Sequence, residues 1–311
     1  MPDTIIPVDY RQQDTDPHGF AQALGASFAR YGFAVVLNHG IDEAEISGCL
    51  DRFKAFFALP DDTKRRYHVP GGGGQRGYTP FGIETAKGAT HSDLKEFWHI
   101  GRTLPRDHPL WKTMGGNLWV SEVDGFQAYG QALFESFDAM GVKLLTAIAE
   151  YLGLSEDWFD DKVDVGNSIL RVIHYPPVEG ETPHVRAGAH EDINVITLLL
   201  GAEEAGLELL DRDGRWLPIA PPPGALVVNI GDMLQRLTNH VLPSTTHRVV
   251  NPSPERARFP RYSMPFFLHF NSDFLIETLP GCISTERPDR YPQPITADEY
   301  LQQRLREIKL T

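Results

Sequence analysis

The 311 residues carry a formal net charge of -13, with 41% hydrophobic and 23% charged side chains. That balance fits a soluble globular chain with a sizeable core, and the negative charge argues against a non-specific grip on phosphate, so no nucleic-acid partner is expected. No run of about 18 or more apolar residues is present to span a bilayer, and Met1-Pro2-Asp3-Thr4 lacks the basic-then-apolar pattern of a secretory leader, so the expectation is a cytoplasmic protein with no membrane partner.

Ile5-Ile6-Pro7-Val8-Asp9 reads as a short edge strand, where the missing N–H of proline is tolerated. A helix is expected over Gly19–Tyr31, with Phe20, Leu24 and Phe28 at helical spacing. Phe33–Leu37 reads as a buried strand. Asp42 and Glu45 form a capping-box pattern for a helix that runs towards Leu59 and stops at Pro60. Gly71-Gly72-Gly73-Gly74 has no apolar strand before it and no Gly-Lys-Ser/Thr after it. It therefore reads as a mobile surface loop, not a phosphate cradle. Asp93–Ile100 reads as a strand. Tyr78, Phe97 and Trp98 read as buried aromatics in preference to parts of a lid. The Pro- and Gly-rich stretch from Arg102 to Asn117 is expected to be irregular.

Ser121 to Leu154 is the longest helical pattern, with Phe126, Leu133, Phe137, Leu144, Ile148 and Leu152 near one stripe. Such a helix would buttress a sheet, and Gly141 would allow a kink or a close approach. From Ser168 the texture changes to short strands and turns. These are Ile169–Tyr175, His190–Leu200, a hairpin of Leu207–Leu210 with Trp216–Ile219, Ala225–Ile230, a strand around His247, and Tyr262–His269. Gly231 to Asn239 reads as a turn or short helix. Such spacing points to a β-sandwich or barrel. Thr296 and Glu299 form a capping box for a last helix, Thr296–Ile308. The expected organisation is a single domain over 1–311, with a mostly helical region at 1–154, a β core at 168–270 and a C-terminal helix at 296–308. Cys49 and Cys282 are the two cysteines, and each reads as a buried small hydrophobe in a reducing compartment.

The chemistry concentrates at His190-Glu191-Asp192. In an extended strand, residues two apart share a face, so His190 and Asp192 would stand side by side with Glu191 turned away. His247 follows Asp192 by 55 residues in another expected strand. Two neutral imidazoles and a carboxylate on one face of an octahedral metal leave three positions open, the ligand set of non-haem Fe(II) oxygenases. A carboxylate facing a barrel interior is costly unless paired or metal-bound. Three open positions suit O2 and a chelating 2-oxo acid. If that acid is 2-oxoglutarate, its far carboxylate needs a cation and a hydroxyl, and Arg261 and Ser263 share a strand face. By the same alternation Phe267 and His269 face inward, with Phe267 a candidate pocket wall, and Asn194 joins the face of His190 and Asp192. Arg186 reads as a solvated surface arginine.

Several segments together resemble the isopenicillin N synthase-like branch of the Fe(II)/2-oxoglutarate-dependent dioxygenases. They are Phe33–Gly40, Tyr175-Pro176-Pro177, His190-Glu191-Asp192, Val228–Gln235, Leu237-Thr238-Asn239, Ser244–Val249 and Arg261–Phe267. The resemblance implies a double-stranded β-helix (jelly roll) with flanking helices. It implies Fe(II) on His190, Asp192 and His247, and 2-oxoglutarate on Arg261 and Ser263 with a contact from Tyr175. At the position two before Tyr175, where many relatives have asparagine, this chain has Ile173. The implied activity oxidises a C–H bond of a small organic substrate by hydroxylation, desaturation or cyclisation, releasing succinate and CO2. The alternatives are an oxidase that uses Fe(II) and O2 without 2-oxoglutarate, an ethylene-forming enzyme, and a non-catalytic metal- or ligand-binding barrel. The substrate and the oligomeric state stay open.

Overall fold

The computed structural model describes residues 4–72, 74–83, 95–177, 187–200, 206–251 and 254–307. Its strands are β1 (Val8–Asp9), β2 (Phe33–Leu37), β3 (Gly77–Thr79), β4 (Glu96–Gly101), β5 (Ile169–Tyr175), β6 (Ala187–His190), β7 (Ile196–Leu200), β8 (Leu207–Leu210), β9 (Trp216–Pro218), β10 (Leu226–Ile230), β11 (His247–Val249), β12 (Arg261–Ser263), β13 (Pro265–Leu268), β14 (Leu275–Ile276) and β15 (Ile295–Thr296). The large sheet runs β1-β2-β10-β7-β13-β5-β4-β3, with β12 also paired to β5. The β1–β2 pair is parallel, and the pairs that join the remaining strands of this sheet are antiparallel. A second sheet runs β6-β11-β8-β9. Residues of both sheets line one cavity. This is the jelly-roll core with flanking helices that the sequence pointed to.

Strand alternation divides the large sheet into two faces. The outer face includes Leu170, Val172, Leu198, Val228, Phe266 and Leu268, all buried. The helix Phe126–Tyr151 packs there, with the Phe137 ring stacked on Phe266 at 5.6 Å. Fully burying such a side chain contributes about 2–3 kcal/mol. At Gly141 a Cβ would stand 2.4 Å from Leu268 Cδ1, so the glycine serves a close approach of helix to sheet. The core is continuous from Phe20 and Phe28 of the helix Pro17–Tyr31 to Ala297 of the helix Ala297–Glu307. The inner face bears the polar residues of the cavity.

Several boundaries differ from the sequence reading, each for a local reason. The first helix begins at Pro17, because Asp16 caps it by accepting from the Gly19 N–H at 2.9 Å and proline suits the first helical position. It ends at Gly32, whose φ of 69° lets the chain turn into β2. The long helix begins at Phe126 after Gly125 with φ 74°, not at Ser121. The expected strand over Tyr262–His269 is two strands, β12 and β13, separated by Met264. The Thr296–Glu299 box forms in both directions, Thr296 N–H to Glu299 at 3.1 Å and Glu299 N–H to Thr296 Oγ1 at 3.2 Å. Asp93, Leu94, Gly73, Arg186 and Ile308 lie outside the described residues.

Candidate active site

β6 ends at His190 and β11 begins at His247, and the two face each other as an antiparallel pair. Their ring centroids are 4.4 Å apart. Asp192 comes from the loop that carries the chain from the small sheet to β7 in the large one. His190 Nε2 lies 3.7 Å and His247 Nε2 3.9 Å from Asp192 Oδ1. One ligand atom from each of the three residues lies within 4.8 Å of the others.

The expectation of one continuous strand from His190 to Leu200 is corrected here. β6 stops at His190 and β7 starts at Ile196. Between them, the carbonyls of Asp192, Asn194 and Val195 accept from the N–H groups of Asp232 (2.7 Å), Met233 (3.1 Å) and Gly231 (2.9 Å). Backbone groups engaged in this way cannot serve a strand partner. His190 and Asp192 meet through this folded loop and not through strand alternation.

What each ligand candidate does with its other polar atom decides how it can be used. His190 Nδ1 lies 2.8 Å from the Gly188 carbonyl and His247 Nδ1 3.1 Å from the Thr245 carbonyl. A carbonyl only accepts, so each Nδ1 carries the proton and each Nε2 turns a lone pair towards Asp192. Asp192 Oδ2 accepts from Thr197 Oγ1 at 2.6 Å and from Asn229 Nδ2 at 2.8 Å. Oδ1 is the oxygen that faces the imidazoles. Phe33 of β2 meets the His247 ring edge-on at 5.4 Å.

His190 is the most open of the three, with 43% of its side chain exposed, whereas Asp192 and His247 are buried. Protein crowded around its remaining surface, together with His247, pushes its pKa down to about 4, so the imidazole is neutral at pH 7 and competent to bind a metal. Burial by itself raises the Asp192 pKa. Positive charge on the His247 and His190 rings when they are protonated, together with the donors Asn229 and Thr197, outweighs it and holds the carboxyl below its usual range. Two neutral imidazoles and one ionised carboxylate, each with its outer atom tied to protein, are a donor set that fits Fe(II).

Across the cavity, Tyr175 pairs with Arg261 and Ile173 with Ser263 in the β5–β12 register, so all four share the inner face. Arg261 is buried, and its guanidinium carbon stands 5.1 Å from the Tyr175 ring centroid. Phe267 lines the cavity, as alternation implied. Asn194 does not. It is 1% exposed and donates to the Ile196 carbonyl at 2.7 Å and to Thr197 Oγ1 at 3.1 Å, behind the hydroxyl that holds Asp192. His269 lies past the end of β13, buried and away from the cavity wall. Phe97 packs with Ile173 and Tyr175, while Tyr78 and Trp98 belong to the main core.

Sequence reasoning gave no role to Thr197, Asn229, Lys95 or Arg171, all of which line the cavity. Alternation outward from Tyr175 reaches Arg171 directly. Asn229 lies opposite Thr197 in the β10–β7 register, a pairing that nothing local in the sequence announces.

Residues 5–122 match the family described as "non-haem dioxygenase in morphine synthesis N-terminal", and residues 166–270 match the 2OG-Fe(II) oxygenase superfamily. The 2-oxoglutarate-Fe(II) type oxidoreductase hxnY of Emericella nidulans is 33% identical over 279 residues, 86% of this chain and 78% of that protein. A crystal structure from Caulobacter crescentus, assigned to the 2OG-Fe(II) oxygenase family, superposes with a TM-score of 0.92 at 60% identity, covering 98% of this chain and 99% of the other. A full-length Neurospora crassa protein, crystallised in complex with alpha-KG and thymine, superposes with a TM-score of 0.86 at 32% identity, covering 97% and 96%. The imidazole–carboxylate cluster inside a jelly roll and the matches along both halves of the sequence lead to one conclusion: the chain belongs to the 2OG-Fe(II) oxygenase superfamily, as an Fe(II)- and 2-oxoglutarate-dependent dioxygenase of the isopenicillin N synthase-like branch.

Proposed function

We propose that His190, Asp192 and His247 hold the Fe(II), that Arg261 and Ser263 receive the far carboxylate of 2-oxoglutarate beside Tyr175, and that the enzyme oxidises a C–H bond of a small organic substrate in the cytoplasm. The observation that carries this reading is the convergence of two Nε2 atoms on Asp192 Oδ1, with Oδ2 already held by Thr197 and Asn229. Bound iron supplies the activation of O2. In the hydroxylation case, 2-oxoglutarate, O2 and R–H give succinate, CO2 and R–OH.

The protein's own contribution is geometric and electrostatic. Thr197 and Asn229 fix which carboxylate oxygen faces the metal position. Phe33 and the Thr245 carbonyl fix the His247 ring. Arg261 can meet a carboxylate with two parallel hydrogen bonds, and the Ser263 hydroxyl stands on the same face. Ile173 offers no donor at the level of Ser263, so the cosubstrate rests there on apolar contact. Leu199, Val249, Pro265 and Phe267 add apolar wall that excludes water. Cys49 and Cys282 are free and buried, as small hydrophobes are. Burial, helped by Glu45, pushes the Cys49 thiol up to about 12, which leaves it inert.

The test is an anaerobic titration of Fe(II)-loaded protein with 2-oxoglutarate, followed in the visible. The expected result is a weak charge-transfer band that saturates in the wild type and is missing in Arg261→Ala at the same concentration. Iron binding without a band would replace this reading with an oxidase in which Arg261 holds a substrate carboxylate. Failure of Fe(II) to bind would overturn the ligand assignment.

A further inference from the structure

Behind the cosubstrate residues, on the outer face of the large sheet, lies a buried charged cluster that the reading above does not use. Its centre is Glu96 of β4, 5% exposed. Glu96 Oε2 accepts from Lys64 Nζ at 2.8 Å and from the Tyr78 hydroxyl, and Oε1 stands 2.7 Å from His174 Nδ1. One carboxylate thus ties the short helix Asp61–Arg65, β3, β4 and β5 together. Burial raises the Glu96 pKa, but His174, Lys64 and Tyr78 outweigh it and hold the group below its usual range. Burial and the neighbouring carboxylate push the Tyr78 phenol up, so it keeps its proton and donates. A carboxylate only accepts, so the His174 proton facing it sits on Nδ1.

Such a cluster is a costly way to gain stability alone, since well-packed apolar side chains commonly serve as well or better than buried ions. Phe56, Phe57 and Trp98 already supply an apolar core around it. What the charges add is direction, and the strand register shows what they direct. Glu96 is opposite His174, and His174 is opposite Tyr262 of β12. The His174 ring lies nearly flat on the Tyr262 ring, with centroids 4.9 Å apart and planes 12° apart. Phe57 meets His174 at 5.2 Å and Tyr262 at 6.3 Å. Tyr262 is the residue between Arg261 and Ser263, whose side chains take the opposite, inner face by alternation. Among the described residues β12 pairs with β5 alone, so the seat of Tyr262 is its main other constraint. None of β4, β5 and β12 carries a metal-ligand candidate.

Building on the Fe(II)/2-oxoglutarate reading above, we propose that Glu96 and His174 are positioning residues for the cosubstrate: Glu96 fixes the His174 ring, the ring seats Tyr262, and Tyr262 sets where Arg261 and Ser263 stand for the far carboxylate. The iron site is held separately, by Thr197, Asn229 and the loop of Asp192.

The experiment uses full-length protein and two readings: 2-oxoglutarate affinity from the anaerobic charge-transfer titration, and Fe(II) affinity from competition with a chelator. His174→Leu removes the ring and leaves Glu96 its bonds to Lys64 and Tyr78. Tyr262→Leu removes the other half of the stack, and Tyr262→Phe keeps it. Both leucine variants are expected to bind 2-oxoglutarate about 3- to 30-fold more weakly, the range for a change that acts through another residue, with Fe(II) affinity as in the wild type. Tyr262→Phe is expected to recover most of the loss. A merely structural role would lower the melting temperature and weaken both ligands together, and that outcome overturns the proposal. So does wild-type 2-oxoglutarate affinity in either leucine variant, or a Tyr262→Phe as weak as Tyr262→Leu. If His174→Leu does not fold, the Tyr262 pair decides, because that side chain is partly exposed. A missing band in the wild type defeats the cosubstrate reading and this proposal with it, whereas a wild-type band that titrates identically in the variants defeats this proposal alone.

Discussion

Thr197 sits in an apolar strand with nothing beside it in sequence to mark it, yet its hydroxyl makes the shortest bond to Asp192, 2.6 Å. Removing that donor while keeping the shape isolates its effect. Thr197→Val is expected to weaken Fe(II) binding by about 10- to 100-fold, measured by competition with a chelator at pH 7. An unchanged affinity would assign the orientation of Asp192 to Asn229 alone. The charged and imidazole residues were easier to read. His190, Asp192, His247, Tyr175, Arg261, Ser263 and Phe267, which spacing and the family resemblance single out, all line one cavity. Asn194 and His269 share the strand parity that suggested an inward face, but each lies just outside a strand, where parity no longer fixes direction.

The loop 191–195 and the helix Asp232–Leu237 act together as one element. Three N–H groups from Gly231, Asp232 and Met233 hold three carbonyls of the loop that carries Asp192. Those donors are free for this use because the first N–H groups of a helix lack intrahelical partners. Gly231 has an ordinary φ of -98°, so conformation does not require glycine there. Space does, since a Cβ would stand 2.1 Å from the Asn194 carbonyl oxygen. Gly231→Ala is expected to cost about 1–3 kcal/mol of stability, as overpacking does, and to weaken Fe(II) binding with it. Urea unfolding and metal titration on the same sample check both; a stable variant with wild-type affinity would show that the loop is not held as tightly as its hydrogen bonds imply. By contrast, the Thr296–Glu299 capping box and the Asp213-Gly214 hairpin were legible from sequence, because both close within a few residues.

At the scale of the whole molecule, stability is linked to buried imidazoles. Burial pushes the His269 pKa down to about 4 from its ordinary 6.5. Between those values the unfolded chain binds a proton that the folded protein does not, so the contribution is complete above pH 6.5 and is lost as pH falls towards 4. The size is on the order of 3 kcal/mol for this buried group. His190 acts in the same direction. Asp232, raised by burial to about 6, acts in the opposite one, since its folded form takes up a proton first as pH falls. The metal-free His269→Gln variant is therefore expected to show a flatter stability profile than metal-free wild type between pH 6.5 and 4, measured by urea unfolding at several pH values. Parallel profiles would mean that His269 is not buried neutral.

The sequence by itself determined the elements whose causes are local: the amphipathic stripe of the long helix, the caps, the turns, the alternating strands, and the residue types able to bind a metal and a dicarboxylate. Tertiary structure alone decided what depends on distant partners. It broke the strand after His190, because N–H groups about 40 residues further along claim the loop's carbonyls. It chose the Asp192 oxygen that faces the imidazoles, through Thr197 and Asn229. It also set Arg171 between two rings on neighbouring strands. Periodicity gives the face of a residue, but only strand register and packing decide which side chain from elsewhere in the chain stands opposite it.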